Sequence, residues 1–243
     1  MMQFGATAVT GFYFEIFVVA AVTIMTILAF RKYMEKGRNK PALLLFMVFL
    51  NWTIGVFISW LAKLFSGFLG LESTPITDFS SYMIRLVLDF RLLFVFVAIA
   101  LYCSYVLRVK LFEKNYKHGE LAVNVVFLIT IPVLCFVLVE QGNMLYTVIV
   151  FLVVFVNMLV VYSGFMKQSI VQYRAASNEK FKGAFKALAV QAMFFILTFL
   201  FFLLDQVVLA ITTIGFTIFY FTAWICAVVG IVLTYYGYIK PRA

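Results

Sequence analysis

Arg85, Asp89 and Arg91 fall within seven positions of an otherwise apolar run, YMIRLVLDFRLLFVF. Glu15, Lys63 and Asp205 lie in or beside other apolar runs. A charge at mid-membrane costs roughly 2.5–3.5 kcal/mol on insertion scales, so such groups persist where they face one another, a water-filled cavity or a ligand. Opposed carboxylates and cations can form ion pairs, hold a bound cation or proton, or grip a charged ligand. Arg85 and Asp89 are four apart and share one helix face. Arg91 follows Asp89 by two, about 200° round a continuous helix. The spacing therefore predicts a different partner for Arg91, with Asp205 or Glu15 as the candidates. Together Glu15, Lys63, Arg85, Asp89, Arg91 and Asp205 predict an outward-opening polar pocket that binds a ligand. The plainer alternative is a set of packing salt bridges between helices. Asn51, Asn157 and Gln191 lie deeper in apolar runs, where amides are expected to hydrogen-bond across helices.

Other chemistry finds no support. There is no Ser-His-Asp set, HExxH, phosphate-binding Gly-Lys-Ser/Thr loop or GxGxxG fingerprint. Asp89 and Asp205 are the one conceivable carboxylate dyad, and such dyads demand closely placed carboxyl groups. The expectation is a protein that is not an enzyme. Cys103, Cys135 and Cys226 all sit in apolar runs without CxxC spacing, and His118 is the single histidine. They read as buried small hydrophobes and a basic-loop residue, so neither a metal site nor a cofactor is expected.

The elements that position these residues are long apolar helices. Of the 243 residues, 65% are hydrophobic and 12% charged. A water-soluble domain of this length cannot hide that much apolar surface. A spanning helix needs about 20 apolar residues. Seven segments qualify, over 12–32, 42–66, 81–107, 121–139, 144–166, 184–210 and 216–239. None alternates with the period of a membrane strand. The chain reads as one all-α membrane domain, a seven-transmembrane-helix bundle. The segment MMQFGATAVTG lacks a basic lead, so the first span is expected to be permanent rather than a cleaved signal.

Charge sets the expected orientation. Sixteen of the nineteen lysines and arginines fall in RKYMEKGRNK, RVKLFEKNYK, the region from Lys167 to Lys186, and the tail. The opposite connections, GFLGLESTPITD, EQGN and TTIG, hold none. Basic residues stay cytoplasmic, which puts the N-terminus outside, the C-terminus inside and the chain in the plasma membrane. The net charge of +9 is mostly this signal. It calls for no nucleic acid and favours anionic membrane lipids. KQSIVQYRAASNEKFKG is expected to extend the fifth or sixth span beyond the membrane, Pro132 to kink the fourth, and Glu140 to sit at a turn.

The layout is similar to microbial rhodopsins, but the last span, FTIFYFTAWICAVVGIVLTYYGYI, offers no lysine before Lys240 for a retinal Schiff base. The motifs of G-protein-coupled receptors, Asp-Arg-Tyr and Asn-Pro-x-x-Tyr, are also absent. Two stretches carry a closer resemblance. They are IRLVLDFRLLFVFVAIALYCSYVLRVKLFEK in the third span and the closing YYGYIKP. In these the chain resembles the seven-helix sensory regions of archaeal and bacterial histidine kinases, and stand-alone archaeal membrane proteins of that type. The resemblance implies a sensor. Ala243 follows Pro241 by two residues, so it also implies output through a separate cytoplasmic signalling partner, or a chain that is a piece of a longer one. A transporter or channel for a small solute or cation, and a structural subunit of a membrane complex, are the alternatives. A homo-oligomer is compatible with each.

Overall fold

The computed structural model describes residues 4–35, 39–71, 76–112, 115–137, 144–212 and 216–239. All elements among them are helical: α1 (Phe4–Glu35), α2 (Lys40–Gly67), α3 (Phe79–Leu88), α4 (Arg91–Phe112), α5 (His118–Val137), α6 (Met144–Ala175), α7 (Glu179–Thr212) and α8 (Ile218–Thr234). A π-helical turn, Tyr235–Ile239, continues α8. Seven of these helices are long and apolar enough to cross a membrane, and α3 is a shorter apolar helix of ten residues. The chain is a multi-pass membrane protein. Glu140, and Lys36, Arg38, Lys114, Lys240 and Arg242 of the basic segments, lie outside the described residues.

Neighbours along the bundle run α1, α2, α4, α6, α7, α8 and back to α1, and α5 lies outside against α4 and α6. Accordingly α5 is the least enclosed of the seven. Side chains such as Phe17, Val126 and Ile211 are exposed on the bundle surface. That is the pattern of helices solvated by lipid, where apolar residues need not be inside. Aromatic contacts fill the middle. Trp52 of α2 stacks on Phe195 of α7 at 5.8 Å, and Tyr162 of α6 reaches the same Phe195 at 5.2 Å. Pro132 lies inside α5, which continues through it. The basic segment after Lys167 stays helical on both sides, because α6 runs to Ala175 and α7 begins at Glu179.

The third apolar run departs from expectation. It is two helices, with α3 ending at Leu88 and α4 beginning at Arg91. Asp89 caps α3, its N–H bonding to the carbonyls of Arg85 and Val87, and Phe90 takes a left-handed conformation with φ 59°. For a non-glycine residue that conformation costs roughly 1–2 kcal/mol, and it interrupts the helix between Leu88 and Arg91.

Candidate functional site

The side chain of Glu15 on α1 is fully enclosed. Its Oε1 accepts from Lys63 Nζ at 2.9 Å, Ser59 Oγ at 2.8 Å and the Tyr220 hydroxyl at 2.5 Å. Ser59 and Lys63 are four apart on α2, so one helix turn delivers both. Lys63 Nζ also donates to the Ser59 carbonyl at 3.3 Å and to Ser59 Oγ at 3.1 Å. The rings of Phe90, Tyr220 and Phe216 surround its ammonium at 5.0, 5.1 and 5.3 Å. Cation–π attraction of this kind strengthens where water is excluded. The cluster clasps α1, α2 and α8 together through one carboxylate oxygen.

Asp205 on α7 is also buried. Its Oδ1 accepts from the Thr217 N–H at 2.8 Å and the Thr217 hydroxyl at 2.7 Å. Thr217 is the N-cap of α8, its Oγ1 accepting in turn from the Phe219 N–H. The carboxylate therefore ties the end of α7 to the start of α8, as cap residues satisfy otherwise orphaned N–H groups.

Asp89 sits at the α3–α4 break. Its Oδ2 lies 3.1 Å from Arg85 Nε and 3.8 Å from Arg91 Nε. Spacing on a continuous helix predicts Asp205 or Glu15 as the partner of Arg91. Instead it turns back to Asp89, because the break at Phe90 removes the helical rotation on which that prediction rests.

These groups border one cavity of about 470 Å³. Lys63, Arg85, Asp89 and Asp205 line it, and Glu15 and Arg91 stand buried behind its wall. The rest of the lining is largely aromatic, with Trp52, Phe94, Phe151, Phe199, Phe202 and Trp224 among it. The volume is that of a site for a small organic molecule, mostly apolar with a few placed polar groups. Four of the six ionisable residues singled out in the sequence thus meet on one surface.

The deeper amides behave differently. None of Asn51, Asn157 and Gln191 lines the cavity. Asn51 Nδ2 donates to the Met47 carbonyl one turn back on its own helix at 2.8 Å, rather than across helices. Asn157 and Gln191 are buried on α6 and α7, and their side-chain carbonyls have no hydrogen-bond partner among the described residues. Beyond the cavity floor, Phe49, Leu101, Tyr105, Met158, Tyr162 and Phe195 are buried side chains of the core. A second cavity, of about 220 Å³, opens at the opposite end of the helices beside Lys32, Asn39 and Tyr238, and shares no lining residue with the first.

Sequence reasoning missed several partners. Tyr220, Ser59 and Thr217 are ordinary polar residues in apolar surroundings, with no signal beyond the four-residue spacing of Ser59 and Lys63. Arg108 reads as a loop charge, yet it is buried and pairs with Glu120 of α5, its guanidinium 5.2 Å from the Tyr105 ring. Gly164 of α6 makes room for it: a Cβ there would overlap Arg108 Nη1 and lie 3.0 Å from its Cζ. Among the described residues no cluster of His, Cys, Asp or Glu could hold a metal ion. Comparison with protein-family models, curated proteins and solved structures finds no match to this chain.

Proposed function

We propose that the chain is a non-enzymatic, receptor-like or sensor-like protein of the plasma membrane. A small ligand enters its cavity from outside, and the signal passes to a separate partner at the basic cytoplasmic end. The observation that carries this reading is the cavity itself. It is large enough for a ligand, has an aromatic interior, and draws its charged groups from α2, α3 and α7. Excess basic residues at the connections α1–α2, α4–α5 and α6–α7 support an orientation with the N-terminus outside and the C-terminus cytoplasmic. A ligand seated between α3 and α7 can change the angle of the α3–α4 break and the lean of α7. The basic extensions of α6 and α7 would carry that change to the partner.

Native mass spectrometry of the protein taken gently from its membrane tests the reading. A discrete small-molecule adduct that is lost in Asp89→Asn, with the variant still inserted, is the expected result. A chain carrying only bulk lipid or partner proteins would favour a structural subunit instead, with the buried charges as packing ion pairs.

Transport is the second reading, favoured by the separate cavity at the opposite end of the helices. Alternate opening of two cavities to the two sides would move a solute. Solute flux in sealed vesicles containing the protein would support it. Ligand binding without flux would leave the receptor.

A further inference from the structure

The charged groups of the cavity are not equivalent, and the difference points to a ligand class. Lys63 directs its ammonium to Glu15 Oε1, the Ser59 carbonyl and Ser59 Oγ, which occupies its three N–H donors. Arg85 and Arg91 converge on Asp89. The ion pairs of the site thus use Glu15 and Asp89, and among the described residues no lysine or arginine forms an ion pair with Asp205. Among the described residues the hydrogen bonds to Asp205 fall on Oδ1 and come from the neutral Thr217. Lys63 shares the cavity and acts on Asp205 through its charge, but among the described residues no lysine or arginine reaches this carboxylate at ion-pair distance, whereas Glu15 and Asp89 each have such a partner.

The surroundings of Asp205 suit an organic cation better than a metal ion or an anion. Phe202, Phe216, Tyr220 and Trp224 line the same cavity. They form a connected set of rings, with Phe202 5.0 Å from Trp224 and 6.0 Å from Tyr220, and Phe216 5.0 Å from Tyr220; Phe216 and Tyr220 already flank the Lys63 ammonium, which leaves Phe202 and Trp224 for a second cation. Ring faces beside a carboxylate attract an ammonium group, which loses less by leaving water when the π-faces replace part of its hydration. A hard metal ion needs several oxygen ligands, and Asp89 is already engaged by two arginines. An anion would find the three N–H donors of Lys63 taken and Asp205 opposing it. Beyond Asp205 the wall continues as Phe199, Phe94, Val97 and Phe151, which accept an apolar body.

We infer that the cavity is selective for an organic ammonium ion carrying an apolar body, its head on Asp205 Oδ2 beside the rings of Phe202 and Trp224, on the side of the carboxylate away from Lys63. The inference rests on the ligand-binding reading of the cavity and adds the chemical class. Two of the three tryptophans, Trp52 and Trp224, line the site, so intrinsic fluorescence of the full chain in lipid nanodiscs reports occupancy.

Three isosteric probes separate the possibilities: phenylbutylamine, phenylbutanol and phenylbutyrate. Binding of the amine should be about tenfold tighter than that of either other probe, the size of a charge-assisted hydrogen bond. Asp205→Asn keeps an Oδ1 acceptor for Thr217 and should bring the amine down to the level of the alcohol. An amine preference that persists in Asp205→Asn overturns the assignment to Asp205. If the alcohol or the butyrate binds the wild-type chain as well as the amine does, and Val97→Phe removes that binding by filling the cavity, the ammonium class is wrong and the ligand-binding reading stands. If no probe binds, or if binding survives Val97→Phe as membrane partitioning would, both fall. Should Asp205→Asn fail to fold, the ranking of the three probes on the wild-type chain still decides.

Discussion

Two ion pairs at opposite ends of the bundle, each with a buried cation, answer to different solvents. Lys63 and Glu15 come from α2 and α1, 48 residues apart in sequence, and their side chains are 1% and 0% exposed. Arg108 and Glu120 come from α4 and α5, 12 residues apart, and Glu120 is 39% exposed. Glu120 also has Lys117 at 3.5 Å, itself in the open. In the enclosed pair, Glu15 has no exposed surface of its own when Lys63 is lost. The other pair can be resolvated from one side. A buried pair costs desolvation of both ions, and removing one partner strands the other. The same chemistry should therefore respond unequally to mutation at the two ends.

The largest effect is expected at the enclosed pair. Lys63→Met leaves Glu15 buried without its cation and should lower stability by about 3–5 kcal/mol. The double variant Glu15→Gln with Lys63→Met should recover much of that loss, because no charge is stranded. Thermal unfolding in nanodiscs reads both. Equal losses in the single and double variants would mean that the packing of Lys63, not its charge, holds α1 to α2. At the other end, Gly164→Ala pushes a methyl group into the space of the Arg108 guanidinium, and a loss of about 1–3 kcal/mol is expected from overpacking. In an Arg108→Ala background the same substitution should be nearly silent. A loss that persists there would show that α6 needs the glycine for its own backbone, and the contrast between the ends would weaken.

These two pairs also mark how far the sequence could be read. The seven spans were legible because a bilayer sets a minimum apolar length that few other structures require. The cavity was partly legible for the converse reason: a charge in an apolar run has few tolerated places, and Lys63, Arg85, Asp89 and Asp205 share one surface. The Glu15–Lys63 pair was present only as two residues in one candidate pocket, since long-range pairing depends on how α1 and α2 rotate against each other. Arg108 and Glu120 were hidden among basic loop residues, where burial leaves no trace in composition. Nor could spacing anticipate the break at Phe90. A phenylalanine in the left-handed region is not what a turn usually uses, and the apolar run reads straight through it. The amide of Asn51, expected to bridge helices, satisfies itself on the Met47 carbonyl, a local bond that any helix offers.

That break invites a smaller, sharper test. Phe90→Ala and Phe90→Gly both remove the ring that faces Lys63 at 5.0 Å. They differ only in the cost of the left-handed backbone at φ 59°. The glycine variant should be the more stable of the two by about 1 kcal/mol. An alanine variant as stable as the glycine one would mean that α3 and α4 join into one helix once the ring is gone. Arg91 would then leave Asp89 for another face, and a change in amine binding on that variant would report it.

The smallest effect belongs to a carboxylate in open water, the far end of the series that begins with Glu15. Asp78 caps α3: its side chain accepts from the Ser81 N–H at 2.7 Å, and Ser81 Oγ accepts from the Asp78 N–H at 3.0 Å. The Ser81 backbone N–H, with help from the Ser81 hydroxyl, holds the Asp78 carboxyl below the usual carboxylate range. Because the folded-state value is the lower one, the stabilisation is complete at neutral pH. It is lost as the pH falls through the ordinary carboxylate range, near 3.9, towards the folded value. Asp78→Ala should therefore lower the unfolding temperature slightly at neutral pH and by less in acid, where a protonated carboxyl still offers its carbonyl oxygen to the Ser81 N–H. Asp78→Asn keeps the accepting oxygen but cannot titrate, so its small difference from the wild type should shrink or change sign as the pH falls. An Asp78→Ala deficit that is constant with pH would place the value of the cap in its shape rather than its charge. Charge would then matter in this protein only where the helices exclude water.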